Sequence, residues 1–193
     1  METSPSVEFG DEKLVVLAQK GEREAFEMLV ERYKQKAYRI AYDFTRDREE
    51  AKDLSQDAFL RAFTNLKGFN LRSTFYTWFY RILVNLCLDY RRHKSRVSWV
   101  PFDDKAEQAI NRNETFGSIS SPDQNASAKE ISLKVGVALE TLPPKQRTAF
   151  LLRNHQGLSI RDIAKVMQTA EGTVKVHLHR AVATLKHRLA EIV

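Results

Sequence analysis

Apolar residues recur at helical spacing through most of the chain, most regularly in residues 159–189. Ser159, with Asp162 three positions later, forms a capping box that predicts the start of a helix. The apolar face of that helix comprises Ile160, Ile163, Ala164 and Met167. The pattern breaks at Gln168, and Thr169 is expected to cap a second helix. The buried stripe of this second helix comprises Val174, Leu178, Ala181, Val182 and Leu185, so the segment predicts a helix-turn-helix.

The second of these helices is basic on the side away from its apolar stripe. Lys175, His177, His179 and Arg180 fall largely off the stripe. A helix-turn-helix places such side chains in the major groove of DNA, within reach of base edges and phosphates. A surface pair of helices with a solvated basic face is the alternative that this segment alone leaves open.

The first half of the chain predicts further helices. Residues 11–95 read as consecutive amphipathic helices, one of which is opened by the capping pair Asp47 and Glu50. The last of them is expected to start at Ser73 or Thr74. No alternating pattern typical of a strand occurs, so the fold class predicted is all-α.

A change of composition divides the chain. Residues 97–126 are rich in Pro, Gly, Ser, Asn and Asp, which predicts a linker that is functional or disordered. Residues 97–143 hold seven acidic and four basic residues, so the link is mildly acidic. We expect an N-terminal tail (1–10), a helical domain (11–96), a flexible acidic linker (97–126) and a small helical domain ending in the helix-turn-helix (127–193).

The formal net charge of +6 is concentrated at one end of the chain. Residues 144–193 contain nine Lys and Arg against three Asp and Glu, whereas the remaining residues are balanced. This asymmetry indicates a nucleic-acid-binding module, without identifying the nucleic acid.

Other bulk features narrow the class of protein. The chain has no apolar run long enough for a membrane span and no signal-peptide layout at its start, so we expect a cytoplasmic protein without membrane insertion. Cys87 is the single cysteine, which excludes intramolecular disulfides and four-cysteine zinc sites. Its apolar neighbours predict a buried, inert thiol.

A second cluster with chemical character follows the third predicted helix. The segment Phe69–Arg92 mixes aromatic rings with basic and amide side chains around a short polar loop. Aromatic faces stack on unpaired bases, and Arg and Asn contact phosphates and base edges. The rings could instead be core, but the five aromatics within Phe75–Tyr80 cannot all face inward on one helix. We therefore expect some of them at the surface.

With these features the sequence resembles the bacterial extracytoplasmic-function (ECF, group IV) sigma factors, in particular the stress-response sigma-E-like members. The resemblance covers about residues 11–95 and 127–189. It is carried by four motifs in order, namely Glu50-Ala-Lys-Asp-Leu-Ser-Gln-Asp-Ala-Phe, Phe69–Asn85 with its Thr-Trp-Phe-Tyr-Arg-Ile centre, Leu142-Pro-Pro-Lys-Gln-Arg and Gly172-Thr-Val-Lys.

The resemblance implies roles for three sets of residues. The set expected to dock on the coiled coil of the largest polymerase subunit is Asp53, Gln56 and Asp57. The set expected to capture a flipped base of the −10 element is Phe69, Asn70, Leu71, Arg72, Ser73, Thr74 and Asn85, and beside it the single strand would meet Tyr76, Trp78 and Arg81. The set expected to read the −35 element is Thr173, Lys175, Val176, His177, His179 and Arg180.

The resemblance also implies partners and an activity. The expected partners are core RNA polymerase, promoter DNA as duplex and single strand, and an anti-sigma factor. The expected activity is promoter recognition, DNA melting and transcription initiation for a stress or envelope-response regulon, with no catalytic residue, metal or cofactor. The acidic linker would lie in the RNA exit region of the polymerase.

The sequence departs from the family pattern at the DNA-reading end. Gln168 stands where a glycine is usual, which predicts slight strain because the turn prefers a positive φ. Ala170 replaces a common proline, and Val176 and His177 stand where Ser and Arg are frequent. Glu171 suits the helix dipole but would repel an adjacent phosphate. The −35 base preference is therefore left open.

Two other classes of protein are considered. An autonomous helix-turn-helix regulator would share the basic module but would bind DNA tightly without polymerase, and it leaves the aromatic loop unexplained. A metal enzyme could use Glu49, Glu50, Asp53 and Asp57, but no histidine lies at ligand spacing nearby and a solvated or docking face is favoured. No nucleophile or phosphate-loop motif stands out, so an enzyme is not expected.

Overall fold

The computed structural model describes residues 9–97, 134–154 and 156–190. All regular secondary structure in these ranges is helical, which confirms the all-α prediction. The predicted linker 97–126, apart from its first residue, and the predicted helix start near Ser127 lie outside the described residues.

The N-terminal unit contains four helices and one short turn of 3₁₀ helix. They are α1 (Asp11–Gln19), α2 (Arg23–Thr45), α3 (Arg48–Asn65), the 3₁₀ turn (Leu66–Gly68) and α4 (Phe75–Val97). The start of α3 follows the predicted cap, because the Asp47 carboxylate accepts the backbone N–H groups of Glu49 and Glu50 at 2.9 and 3.1 Å.

The core of this unit lies where α2, α3 and α4 meet. Phe79 of α4 is fully buried and stacks on Phe59 of α3, with ring centroids 4.4 Å apart. Phe75 and Tyr80 are also buried, so part of the aromatic cluster is core. Cys87 is a free thiol, and its burial confirms the prediction of a buried cysteine; burial also raises its pKa to about 12.

The C-terminal unit contains the predicted helix-turn-helix. Its helices are α5 (134–140), α6 (Pro144–Asn154), α7 (Ile160–Met167) and α8 (Glu171–Ala190). The Ser159 hydroxyl caps α7 by accepting the N–H of Asp162 at 3.1 Å, as the capping box predicts. Gln168 adopts the left-handed conformation, with φ and ψ both 51°, so the turn forms without the usual glycine.

Two details predicted for α8 are wrong. Thr169 is not its cap, because Thr169 donates its N–H to Ala164 O to close α7, and the cap position falls to Ala170, whose carbonyl accepts the Val174 N–H. Val182 is 40% exposed and does not belong to the buried stripe. At 3.6 residues per turn it lies about 80° around the helix from Val174, outside the narrow face that packs inward.

The two units pack against each other, α4 against α7 and α2 against α6. Arg147 of α6 is 1% exposed and donates to the Asp43 carbonyl oxygen near the end of α2 at 2.9 Å. It also pairs with Glu140, whose carboxylate accepts a hydrogen bond from Arg91 of α4 at 2.8 Å. A buried cation therefore joins the units, whereas the sequence predicted only two domains on a flexible tether.

Candidate nucleic-acid interface

The loop between α3 and α4 is built around one aromatic stack. The 3₁₀ turn delivers Phe69, whose buried ring stacks on the Trp78 indole with centroids 4.7 Å apart and planes 21° apart. Beyond it, Asn70 Oδ1 accepts the N–H of Arg72 at 3.2 Å, and Leu71 has a φ of 58°. The short polar side chain that turns the loop and the indole that backs it create a concave surface.

This concave surface is a cavity of about 430 Å³. Its lining residues are Gly68, Phe69, Asn70, Arg72, Ser73, Thr77, Trp78, Arg81 and Lys165. Six of the ten residues predicted for the −10 element are among them. The lining offers an aromatic wall, an amide, hydroxyls and three cationic side chains, which suit a flat base and an anionic backbone.

The other four predicted residues do not line this cavity. Leu71 is exposed beside it, and the Thr74 hydroxyl is 2.8 Å from the Thr77 hydroxyl. Tyr76 is hydrogen-bonded to Asp162 of α7, and its pKa is raised by burial and by that bond. Asn85 lies about one turn further along α4 and lines a second cavity.

The second cavity lies between the two units and has a volume of about 440 Å³. Its apolar residues are Phe44, Val84, Leu88, Pro144, Val166 and Met167, and its cationic residues are Arg91, Arg92, Lys145 and Arg147. Asn85 and His177 line it together, although they were predicted to contact different promoter elements. Burial, followed by Lys145 and Arg180, lowers the pKa of His177 and favours its neutral form.

The surface of α8 presents most of the residues predicted for the −35 element. The exposed ones are Thr173, Lys175, Val176, His179 and Arg180, while His177 is half-buried. Glu171 is exposed in the first turn of the helix. The accessible face is therefore basic, and Val176 is the apolar side chain among the predicted residues.

The residues predicted to dock on polymerase lie on α3 and share their face with an apolar pair. Asp53 and Gln56 are exposed, and Asp57 forms an ion pair with Arg61 at 3.1 Å. Leu60 and Phe63 are 64% and 48% exposed.

Sequence reasoning missed this apolar pair. The spacing of Gln56, Leu60 and Phe63, at i, i+4 and i+7, would have placed them on one helix face. Exposed apolar side chains on a face of this kind are typical of a protein–protein interface.

The geometry defines a two-unit helical protein with an aromatic and cationic cavity on one unit and a helix-turn-helix with a basic exposed face on the other. The family model described as Sigma-70 region 2 matches residues 29–97, and the one described as Sigma-70, region 4 matches residues 129–185. The chain belongs to the extracytoplasmic-function (ECF) family of RNA polymerase sigma factors.

Similar proteins span nearly the whole chain. The RNA polymerase sigma-H factor of Pseudomonas aeruginosa is 36% identical over 89% of each chain. The ECF RNA polymerase sigma-E factor of Escherichia coli K12 is 31% identical over 97% of this chain and 98% of its own. Both relatives are named as sigma factors, which confirms the family resemblance drawn from the four motifs.

Two solved structures share the fold. CnrH, in complex with the cytosolic domain of CnrY, superposes with a TM-score of 0.70 at 24% identity over 94% of this chain and 97% of that chain. The sigma factor RpoE from Bartonella quintana, in complex with the anti-sigma factor NepR, superposes with a TM-score of 0.65 at 23% identity over 86% of this chain and 96% of that chain.

Family membership settles the class of protein. Sigma factors are transcription initiation factors, so the chain is not an enzyme, as expected from its sequence. Among the described residues, no helix combines the length and the apolar character needed to cross a bilayer.

Proposed function

We propose that this sigma factor directs promoter recognition and DNA melting through two surfaces, the cavity around Phe69 and Trp78 and the exposed face of α8. The observation that carries the proposal is the cavity, which joins an aromatic wall to cationic and amide side chains next to a loop. We further propose that residues 11–96 and 127–193 form the two functional domains, joined by residues 97–126. The sigma-E-like resemblance supports a stress or envelope-response regulon.

The cavity suits capture of a base removed from the duplex. Unstacking and unpairing one base costs a few kcal/mol, and stacking on an aromatic ring returns roughly 1–3 kcal/mol. Trp78 presents an indole that is already held by Phe69, so little side-chain freedom is lost on binding. Arg72 and Arg81 supply the cations that an adjacent phosphate requires.

The exposed face of α8 suits duplex DNA. Thr173 and Lys175 lie near the helix N-terminus, which is the end of a recognition helix that contacts base edges. Val176 supplies an apolar surface of the kind that contacts a thymine methyl group. The −35 preference is therefore expected to differ from that of relatives with Ser and Arg at positions 176 and 177.

The exposed face of α3 suits the polymerase. Asp53, Gln56 and Asp57 supply acidic and amide groups, and Leu60 and Phe63 add apolar area that water disfavours. The combination of an apolar patch with a polar rim supports docking on a coiled coil of the largest polymerase subunit.

The packing of the two units supports weak promoter binding by the free protein. Lys165 of α7 lines the cavity around Phe69 and Trp78, which we call the −10 cavity, and Asp162 of the same helix is hydrogen-bonded to Tyr76. Asn85 and His177 line one cavity between the units, and His177 is half-buried there, so the packed form restricts access of DNA to His177. We infer that polymerase binding separates the units and that an anti-sigma factor, of the kind bound to the Bartonella relative, favours the inactive form.

Permanganate footprinting of open complexes tests the melting role. Trp78→Ala and Asn85→Ala are each expected to abolish thymine reactivity at the −10 element, while pull-down with core polymerase survives. Tyr42→Ala and Asn65→Ala are matched controls outside the proposed site and are expected to melt DNA normally. Normal melting by the Trp78 and Asn85 variants would refute the assigned roles.

A gel shift with and without core polymerase tests the requirement for polymerase. The full chain is expected to shift promoter DNA strongly only when core polymerase is added. Tight, sequence-specific binding by the free chain would support an autonomous regulator instead.

A further inference from the structure

The loop between α3 and α4, which borders the cavity around Phe69 and Trp78, is held at its start by a side chain from a distant helix. Gln19, the last residue of α1, donates hydrogen bonds from Nε2 to the carbonyl oxygens of Leu66 at 2.9 Å and Phe69 at 2.7 Å. These two acceptors lie 47 and 50 positions further along the chain. They mark the two ends of the segment that leads from α3 into the loop.

The bond to Phe69 O meets a need of the backbone, and the bond to Leu66 O adds a second donor to a carbonyl that already has one. The last carbonyls of a helix have no intrahelical donors and require other partners. Leu66 O already accepts the Phe69 N–H at 3.0 Å, which closes the 3₁₀ turn. Phe69 O is the last carbonyl before Asn70, so a bond to it sets the direction in which the chain leaves the turn.

Gln19 and Trp78 hold Phe69 from two sides. Gln19 binds its backbone carbonyl, and Trp78 stacks on its ring. The next residue, Asn70, lines the cavity proposed to capture a base. A change in the exit direction at Phe69 would therefore displace the cavity wall without removing any residue from it.

We propose that Gln19 is a positioning residue for promoter melting, which acts by fixing the Phe69 end of the loop. This inference rests on the proposed function of the cavity. A neutral amide suits the arrangement, because its one –NH₂ group supplies both hydrogen bonds. A glutamate carboxylate has no proton to donate and would place its charge against two carbonyl oxygens.

Two variants and one control separate this role from simple support of the fold. Gln19→Met keeps the length of the side chain and removes both donors, and Gln19→Glu keeps its shape and reverses the interaction. Gln35→Met changes an exposed glutamine in α2 and serves as the matched control. All are assayed as full chains with core polymerase, on a promoter mapped by in vitro transcription with the wild-type holoenzyme.

Gln19→Met is expected to lower the rate of permanganate reactivity on duplex promoter about tenfold, with a larger loss for Gln19→Glu, because a small misplacement of a positioned group is costly. Holoenzyme affinity for a single-stranded −10 oligonucleotide should fall in parallel. Core binding and holoenzyme affinity for a −35 duplex fragment should stay at wild-type values. Gln35→Met should match wild type in every assay.

Two results would overturn the inference. One is wild-type melting and oligonucleotide binding by both Gln19 variants. The other is an equal loss of core binding, −35 binding and melting, since that would mean that Gln19 only supports the fold. Trp78→Ala is included to keep the two proposals apart. Normal melting by Trp78→Ala counts against the proposed cavity, whereas a defect in Trp78→Ala without one in the Gln19 variants counts against Gln19 alone.

Discussion

Removal of the Glu140 carboxylate is expected to separate the two units. In the packed form, Glu140 neutralises Arg147 within the C-terminal unit and accepts a hydrogen bond from Arg91 of the N-terminal unit. Glu140→Ala removes both interactions and leaves the buried Arg147 cation with the Asp43 carbonyl as its remaining acceptor in the described residues. Separation of the units would return that cation to water, so the change destabilises the packed form specifically.

The size of the effect follows from burial. Breaking a fully buried ion pair by removing one partner costs about 3–5 kcal/mol, because an uncompensated charge stays buried. Glu140 is 46% exposed, so water already screens part of the interaction and a value of about 2 kcal/mol is more suitable. This corresponds to a shift of roughly 30-fold in the ratio of separated to packed protein.

A double variant tests whether the stranded charge of Arg147 causes the loss of packing. Arg147→Met in the Glu140→Ala background removes the stranded charge but keeps an apolar stem of similar length. Replacement of a buried ion pair by apolar groups is often neutral or stabilising, so the packed form should recover. The Arg147 Nε atom has no hydrogen-bond partner among the described residues, which supports recovery because its desolvation is uncompensated.

Energy transfer between dyes on the two units measures the change. Lys52→Cys on α3 and Lys186→Cys on α8 are exposed labelling sites. The native Cys87 need not be removed, because it is buried and its raised pKa of about 12 keeps it protonated during labelling. Glu140→Ala should lower the transfer efficiency and the double variant should restore it. Unchanged transfer in Glu140→Ala would refute the role of the Glu140 carboxylate. No recovery in the double variant would refute the stranded charge as the cause and would point to the lost bond between Arg147 and the Asp43 carbonyl.

Three further changes test local features of the fold by chemical unfolding. Gln168→Gly should raise the free energy of unfolding by about 1 kcal/mol, because glycine adopts the left-handed conformation without strain, and Gln168→Ala should give no such gain. Asp47→Ala should lower the free energy of unfolding by about 1 kcal/mol through loss of the α3 cap, and an equal loss in the exposed control Glu31→Ala would contradict that cause. The pKa of His177 is lowered in the folded protein, so the unfolded chain binds more protons and stability should fall as the pH drops from 7 to 5. His177→Gln should reduce this pH dependence, and an unchanged profile would contradict the assignment.

Local sequence signals predicted the elements of the structure well. Asp47 and Ser159 cap the helices that they were predicted to open, because an N-cap depends on residues within one turn of each other. The left-handed turn at Gln168 also followed from the motif. The predicted cap at Thr169 was wrong by one position, and the predicted stripe was too wide on the side of Val182. Periodicity alone determines neither the first residue of a helix nor the width of its buried face.

Contacts between distant segments were not predictable from the sequence. Arg147 reaches a carbonyl group 104 positions away, and Gln19 reaches two carbonyl groups about 50 positions away. Backbone carbonyls carry no sequence signal, since every residue has one. The site was therefore predicted as a set of residues, whereas the side chains that hold the loop and join the units emerged only from the fold.

The packed arrangement links the two proposed DNA surfaces through one helix. Helix α7 carries Lys165, which lines the −10 cavity, and Asp162, which binds Tyr76, and it leads through Gln168 into α8. Displacement of α7 from α4 would therefore uncover the cavity and free His177 in the same event. Under the proposed function, a ligand that binds one surface only in the separated form raises the affinity of the other surface for its own ligand. Because coupling between sites is reciprocal, the second ligand raises the affinity for the first by the same factor. Among the residues predicted for the −35 element, His177 is the one that lines the cavity between the units, so this coupling would depend on contact between His177 and −35 DNA.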